Sequence, residues 1–137
     1  MKHTFTISEV IPASPEVIYM AWLDPDGHSA MTGGGKAIVH DEVDKPFAVH
    51  DAYLWGKNLQ LIPNKKIVQS WRTTGFETTD EDSKIEVVLS PHAEGTLLTL
   101  THSNVPDQEV HVKQGWVRHY FEPMKAYFNE IRSQASG

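Results

Sequence analysis

The chain opens on a strict alternation. In HTFTISEVI, residues 3–11, Phe5 and Ile7 fall on one face and Thr4, Thr6 and Ser8 on the other, the two-residue period of a half-buried strand. The alternation weakens at Val10-Ile11, where a bulge fits. The period then changes. In PASPEVIYMAWLDP, Val17, Ile18, Ala21 and Trp22 recur at helical spacing, Ser14 is a good N-cap, Pro15 suits the first helical position and Asp24-Pro25 ends the helix. A second short helix is expected over 25–31. After the turn TGGGKA (32–37), KAIVHDEVD and KPFAVHDAYLWGK read as strands separated by charged or proline-containing turns. Leu59 and Leu61 alternate in a further strand, and Pro63-Asn64 turns the chain. Ile67, Gln69 and Trp71 then alternate against Val68, Ser70 and Arg72. TTDEDS is a polar loop, and KIEVVLSPH and GTLLTLTHSNV form a hairpin around PHAEG.

The last element is a helix expected from about residue 108 to about residue 133. Val117, Phe121, Met124, Phe128 and Ile131 recur at spacings of four and three, which predicts one apolar stripe. Trp116 and Tyr120 lie beside it, one turn apart, each with a broad apolar face and a polar handle suited to a cavity wall. Pro123 lacks an N–H and crowds the carbonyl of His119, so the helix should bend around His119–Pro123. The element order is therefore strand, short helices, five or six antiparallel strands, long helix. A sheet of that kind has one apolar face to cover, and a helix of about 25 residues spans roughly 37 Å, enough to cross it. The expected fold is α+β: a curved antiparallel sheet wrapped around a long C-terminal helix, with two short helices after the first strand. A cavity between sheet and helix goes with it. The whole chain, 1–137, reads as one domain with an ordered core over about 3–133.

Composition narrows the functions. Twelve basic residues against eighteen acidic ones leave a formal net charge of -6, and no basic cluster stands out, so nucleic acid is not expected as a partner. There is no cysteine, which excludes disulfides, thiolate metal sites and cysteine nucleophiles. The N-terminus lacks the apolar core of a signal peptide, and no run approaches the roughly 18 apolar residues of a membrane span. A cytoplasmic protein without membrane insertion is expected, as a monomer or weak homodimer.

Candidate chemistry is sparse. None of the eight histidines forms the H-E-x-x-H spacing of a helical zinc site, and His40, Asp41, Glu42 and Asp44 read as a solvated acidic stretch, so no metal is expected. TGGGKA lacks the form of a phosphate-binding loop and reads as a flexible turn. No cofactor motif and no catalytic set is found. Strand alternation through FAVHDAYLW groups Asp51, Tyr53 and Trp55 on one face and His50, Ala52 and Leu54 on the other. With the first face inward, Asp51 and Tyr53 would be polar anchors in an aromatic cavity; with it outward, they are surface residues. Trp71 is read as core or cavity wall, and Arg72 as a surface pairing residue.

Three segments carry a resemblance across nearly the whole chain. SPEVIYMAWLDP, GKNLQLIPNKKIVQSWR and VKQGWVRHYFEPMKAYF, in that order and spacing, resemble the Hsp90 ATPase activator homologue family, within the START-like, Bet v 1-like superfamily of helix-grip proteins. The resemblance implies a helix-grip domain with a cavity between the long helix and the sheet. It also implies two kinds of partner: a hydrophobic small molecule, as in the wider superfamily, or a chaperone, as for the co-chaperone whose C-terminal domain this chain resembles. A cyclase or hydratase using Asp51, Tyr53 and an inward-turned His119 is a further alternative. The expected ligand-binding residues are Trp22, Asp51, Tyr53, Trp55, Trp71, Trp116 and Tyr120.

Overall fold

The computed structural model describes residues 2–50, 53–109 and 111–136, with residues 132–136 described by backbone alone. β1 (His3–Ile11) is followed by the short helices α1 (Pro15–Trp22) and α2 (Pro25–Met31). Then come β2 (Pro46–Val49), β3 (Leu54–Ile62), β4 (Lys66–Thr73), β5 (Ser83–His92) and β6 (Gly95–Val105). The C-terminal helix runs as α3 (Val112–Trp116), a π turn (Val117–Phe121) and α4 (Glu122–Ser136). The six strands form one antiparallel sheet in the order β1-β6-β5-β4-β3-β2.

Alternation decides the faces. Ile67, Gln69, Trp71 and Thr73 of β4, Ser83, Ile85, Val87 and Leu89 of β5, and Thr96, Leu98, Leu100 and His102 of β6 are buried beneath the helices. On the other face, Thr6 and Ser8 of β1 meet the hydroxyls of Thr101 and Thr99 across the strands. Both short helices are capped: Ser14 Oγ, the expected N-cap, accepts from the Val17 amide, and the Asp24 carboxylate, expected only to end the first helix, accepts from the Gly27 amide. Gly56 is demanded by packing, because a Cβ there would lie 1.9 Å from the Ser70 carbonyl oxygen of β4. Arg72 pins the loop before β5, donating to Asp82 Oδ1 and to the carbonyls of Glu77 and Asp80. No helix among the described residues is long and apolar enough to cross a membrane.

Four expectations need correction. KAIVHDEVD is not a strand; it contributes only the bridge of Ile38 to Ala48. The reason is Asn58, whose buried side chain donates to the carbonyls of His40 (2.8 Å) and Glu42 (2.9 Å) and so holds this stretch as a loop. KPFAVHDAYLWGK is not one strand but two, because His50 adopts a φ of 52° and Tyr53 N–H donates back to the His50 carbonyl. The bulge in β1 falls between His3 and Phe5, while Val10 and Ile11 pair regularly with Leu97 and Thr96. The C-terminal helix begins at Val112, after a 3₁₀ turn over Asp107–Glu109 that buries the Glu109 side chain.

The apolar stripe also differs. Phe121, Met124 and Phe128 are buried, but Val117 and Ile131 are 36% and 44% exposed. Glu122 N–H donates to the Val117 carbonyl five residues back, so this turn is wider than an α turn. Pro123 can donate nothing to His119, and its ring would crowd that carbonyl in a regular turn. Widening the turn brings Trp116 rather than Val117 above Phe121, and the inner face becomes Val112, Trp116, Tyr120, Phe121, Met124 and Phe128.

Candidate functional site

A cavity of about 500 Å³ opens between the first half of the C-terminal helix and the β3–β4 end of the sheet. The helix contributes Val112, Gly115, Trp116, His119 and Tyr120, with His111 just before it. The strands contribute Leu54, Trp71 and Thr73, and the turn between β2 and β3 contributes His50 and Tyr53. Four of the aromatic residues expected at a binding site, Tyr53, Trp71, Trp116 and Tyr120, therefore stand on one wall system. Asp51 lies outside the described residues.

Trp22 and Trp55 do not line the cavity. Trp22 is 1% exposed and sits behind the wall, stacked on Tyr120 at 5.1 Å and on Trp116 at 6.3 Å between ring centroids. Trp55 is 38% exposed on the opposite side of β3 from Leu54. The parity that grouped it with Tyr53 assumed a continuous strand, and the turn at His50 resets the count. The same turn brings His50 and Tyr53, expected on opposite faces, into one cavity.

The wall is held from behind by buried hydrogen-bond chains whose directions follow from chemistry. His28 Nδ1 lies 2.8 Å from the Trp22 carbonyl, which can only accept, so Nδ1 carries the proton and Nε2 accepts from the Tyr120 hydroxyl at 2.8 Å. His102 is the opposite tautomer. Its Nδ1 accepts from Trp116 Nε1 (3.1 Å), so its Nε2–H donates to Ser83 Oγ (2.8 Å), which donates to the Trp71 carbonyl (2.6 Å). A third chain runs from Trp22 Nε1 to Gln69 Oε1 and from Gln69 Nε2 to Asn58 Oδ1. Burial pushes His28 down to about 4, opposed in part by its bond to the Trp22 carbonyl, and pushes His102 down to about 3. Both are neutral near pH 7, as the chains require. Burial also raises the Tyr120 hydroxyl, keeping it a donor.

At the other rim, the buried Glu109 carboxylate accepts from Thr73 Oγ1 at 2.9 Å and pairs with His111 Nε2 at 3.3 Å. Gly75 makes room for it, since a Cβ there would come 1.9 Å from Glu109 Oε1. Neither this carboxylate nor His28 and His102 stood out in the sequence. Each is an isolated polar residue whose burial depends on partners distant along the chain. Among the described residues, no group of three or more His, Asp or Glu side chains is placed to hold a metal ion.

Comparison with known proteins places this geometry. The chain is 29% identical over 127 residues to the activator of 90 kDa heat shock protein ATPase homolog 1 of Mus musculus, and equally to the Homo sapiens protein. These alignments cover 90% of this chain but 36% of those longer proteins. The fold matches the crystal structure of PFC0360w, an HSP90 activator from Plasmodium falciparum, with a TM-score of 0.80 at 23% identity over 92% of this chain and 96% of that one. It matches protein MLL2253 from Mesorhizobium loti with a TM-score of 0.79 at 20% identity, over 93% and 98% of the two chains. The family model for Activator of Hsp90 ATPase homolog 1-like proteins matches residues 12–129. Three sequence segments, a six-stranded helix-grip architecture and this match agree, and the chain belongs to the Activator of Hsp90 ATPase homolog 1-like family.

Proposed function

We propose that the domain binds a small hydrophobic molecule in the cavity between its C-terminal helix and β3–β4. One observation carries the reading: a space of about 500 Å³ walled by Tyr53, Trp71, Trp116 and Tyr120. That volume suits a small organic ligand, and rings of this kind bury apolar area while their few polar atoms fix orientation. The wall is also pre-formed, because Tyr120 and Trp116 are tied to His28 and His102 behind it. Pre-organisation lowers the ordering cost of binding. Trp71 and Trp116 make the test direct. Lipids, sterols and polyaromatic compounds added singly should give saturable quenching of tryptophan fluorescence for at least one class, and no saturable change across the panel would reject the reading.

A second reading is favoured by the names of the relatives, several of which are activators of the 90 kDa heat shock protein. Here the domain associates with a chaperone through its outer surface. Pull-down with the host chaperone and an ATPase assay address it; neither binding nor stimulation would count against it.

A further inference from the structure

We propose that the outer face of the sheet, around Trp55, is a docking surface for an acidic, amphipathic segment of a partner protein. This face lies across the sheet from the cavity, so the inference stands apart from ligand binding. Alternation sorts the charges. The outward strand positions carry four basic side chains, Lys57, Lys66, Arg72 and Lys84, and one acidic side chain, Glu86. That leaves the face at +3 on a molecule whose formal net charge is -6. Lys66 is neutralised by Glu86 at 2.7 Å, and Arg72 by Asp82 at 3.0 Å. Lys57 and Lys84 are exposed and have no ion-pair partner among the described residues. They rise on either side of Ser70, whose hydroxyl accepts from the Lys57 amide and which pairs with Lys84 across the next ladder. Two strand spacings put their stems roughly 10 Å apart.

An apolar strip adjoins the lysines. Trp55 is 38% exposed and lies between Ala48 of β2 and Arg72 of β4. Ile38, 49% exposed, bridges to the far side of Ala48. Arg72 turns its guanidinium to the Phe76 ring, at 5.3 Å, and to the loop before β5. An exposed tryptophan is a common anchor of protein interfaces, and the charge around it sets the sign of the partner. The complement of this face is a segment with carboxylates for Lys57 and Lys84 and an apolar side chain to cover Trp55 and Ile38. An extended anionic surface, such as a membrane or a nucleic acid, fits less well, because the rest of this acidic molecule repels it. A short segment within about 8 Å of the lysines meets chiefly their field.

The indole N–H resonance of Trp55 in the isotope-labelled full chain reads the contact during titration with a Glu–Leu peptide, its Lys–Leu counterpart and phosphatidylserine vesicles. Only the Glu–Leu peptide should shift it saturably, and added salt should weaken that binding. Lys57→Glu combined with Lys84→Glu, both at exposed positions, should weaken the peptide at least about tenfold. Trp55→Ser, followed by calorimetry, should lose a similar factor. No shift with the Glu–Leu peptide, an equal response to the Lys–Leu peptide, or a stronger response to the vesicles overturns the proposal. So does a double lysine variant that binds the peptide as tightly as the native chain. The cavity reading is judged separately, by Trp71 and Trp116, and the chaperone reading by its own pull-down.

Discussion

His28 and His102 show how single residues set the site from behind it. Each is neutral in the fold and ordinary in the unfolded chain, with its folded value depressed to about 4 and about 3. The sign follows. Well above the ordinary histidine value neither group binds a proton in either state, so there neither makes stability depend on pH. Below the ordinary histidine value of about 6.5 the unfolded chain takes up protons that the folded chain refuses, and stability falls until the folded values are reached. Each group contributes a loss of up to about 1.4 kcal/mol per pH unit in that window. Urea unfolding should therefore give a markedly lower midpoint at pH 5 than at pH 7, and a histidine-to-asparagine change at position 102 should flatten that dependence while lowering stability at pH 7. A midpoint unchanged between the two values would contradict the buried neutral assignment. Tyr120→Phe removes the proton that satisfies His28 Nε2 and should cost about 1–3 kcal/mol by the same assay, since an acceptor is then left buried and unpaired. Gly56→Ala places a methyl against the Ser70 carbonyl, where backbone must move, and should cost about 1–3 kcal/mol or more.

The C-terminal helix is the element that best shows what periodicity conveys and where it stops. Its existence and three members of its apolar face, Phe121, Met124 and Phe128, were legible because they rest on spacing. The expectation drawn from Pro123 was a bend around His119–Pro123, and it did not foresee a π turn. A π turn adds the equivalent of one residue to the register, so the inner face passes from Trp116 and Tyr120 to Phe121, Met124 and Phe128, and Val117 turns outward. This gives a sharp contrast. Val117→Lys should change stability by no more than about 0.5 kcal/mol, as at an ordinary surface position, whereas Phe121→Ala should cost about 3–5 kcal/mol. Similar losses for the two would restore the continuous α-helical stripe.

At the scale of the molecule, the sheet was readable wherever one face is buried and the other wet, as in β1, β4, β5 and β6. It was misread from residue 36 to residue 57. There the chain's course is set by a side chain, Asn58, and by a left-handed residue, His50, neither of which leaves a periodic trace. That stretch also supplies one side of the cavity, which is why Tyr53 lines it and Trp55 does not, although alternation put both on one face, and why the histidines at the rim were not brought together. The family match and the fold agree on the frame, a curved sheet gripping a long helix. The central claim is that the space inside this grip takes up small hydrophobic molecules. The most direct measurement follows the four indole N–H resonances of the isotope-labelled protein by NMR during titration with each lipid, sterol and polyaromatic compound of the panel. For at least one of them the signals of Trp71 and Trp116 should shift saturably while that of Trp55, outside the cavity, stays in place; a panel that moves none of them, or moves Trp55 alone, would contradict the account.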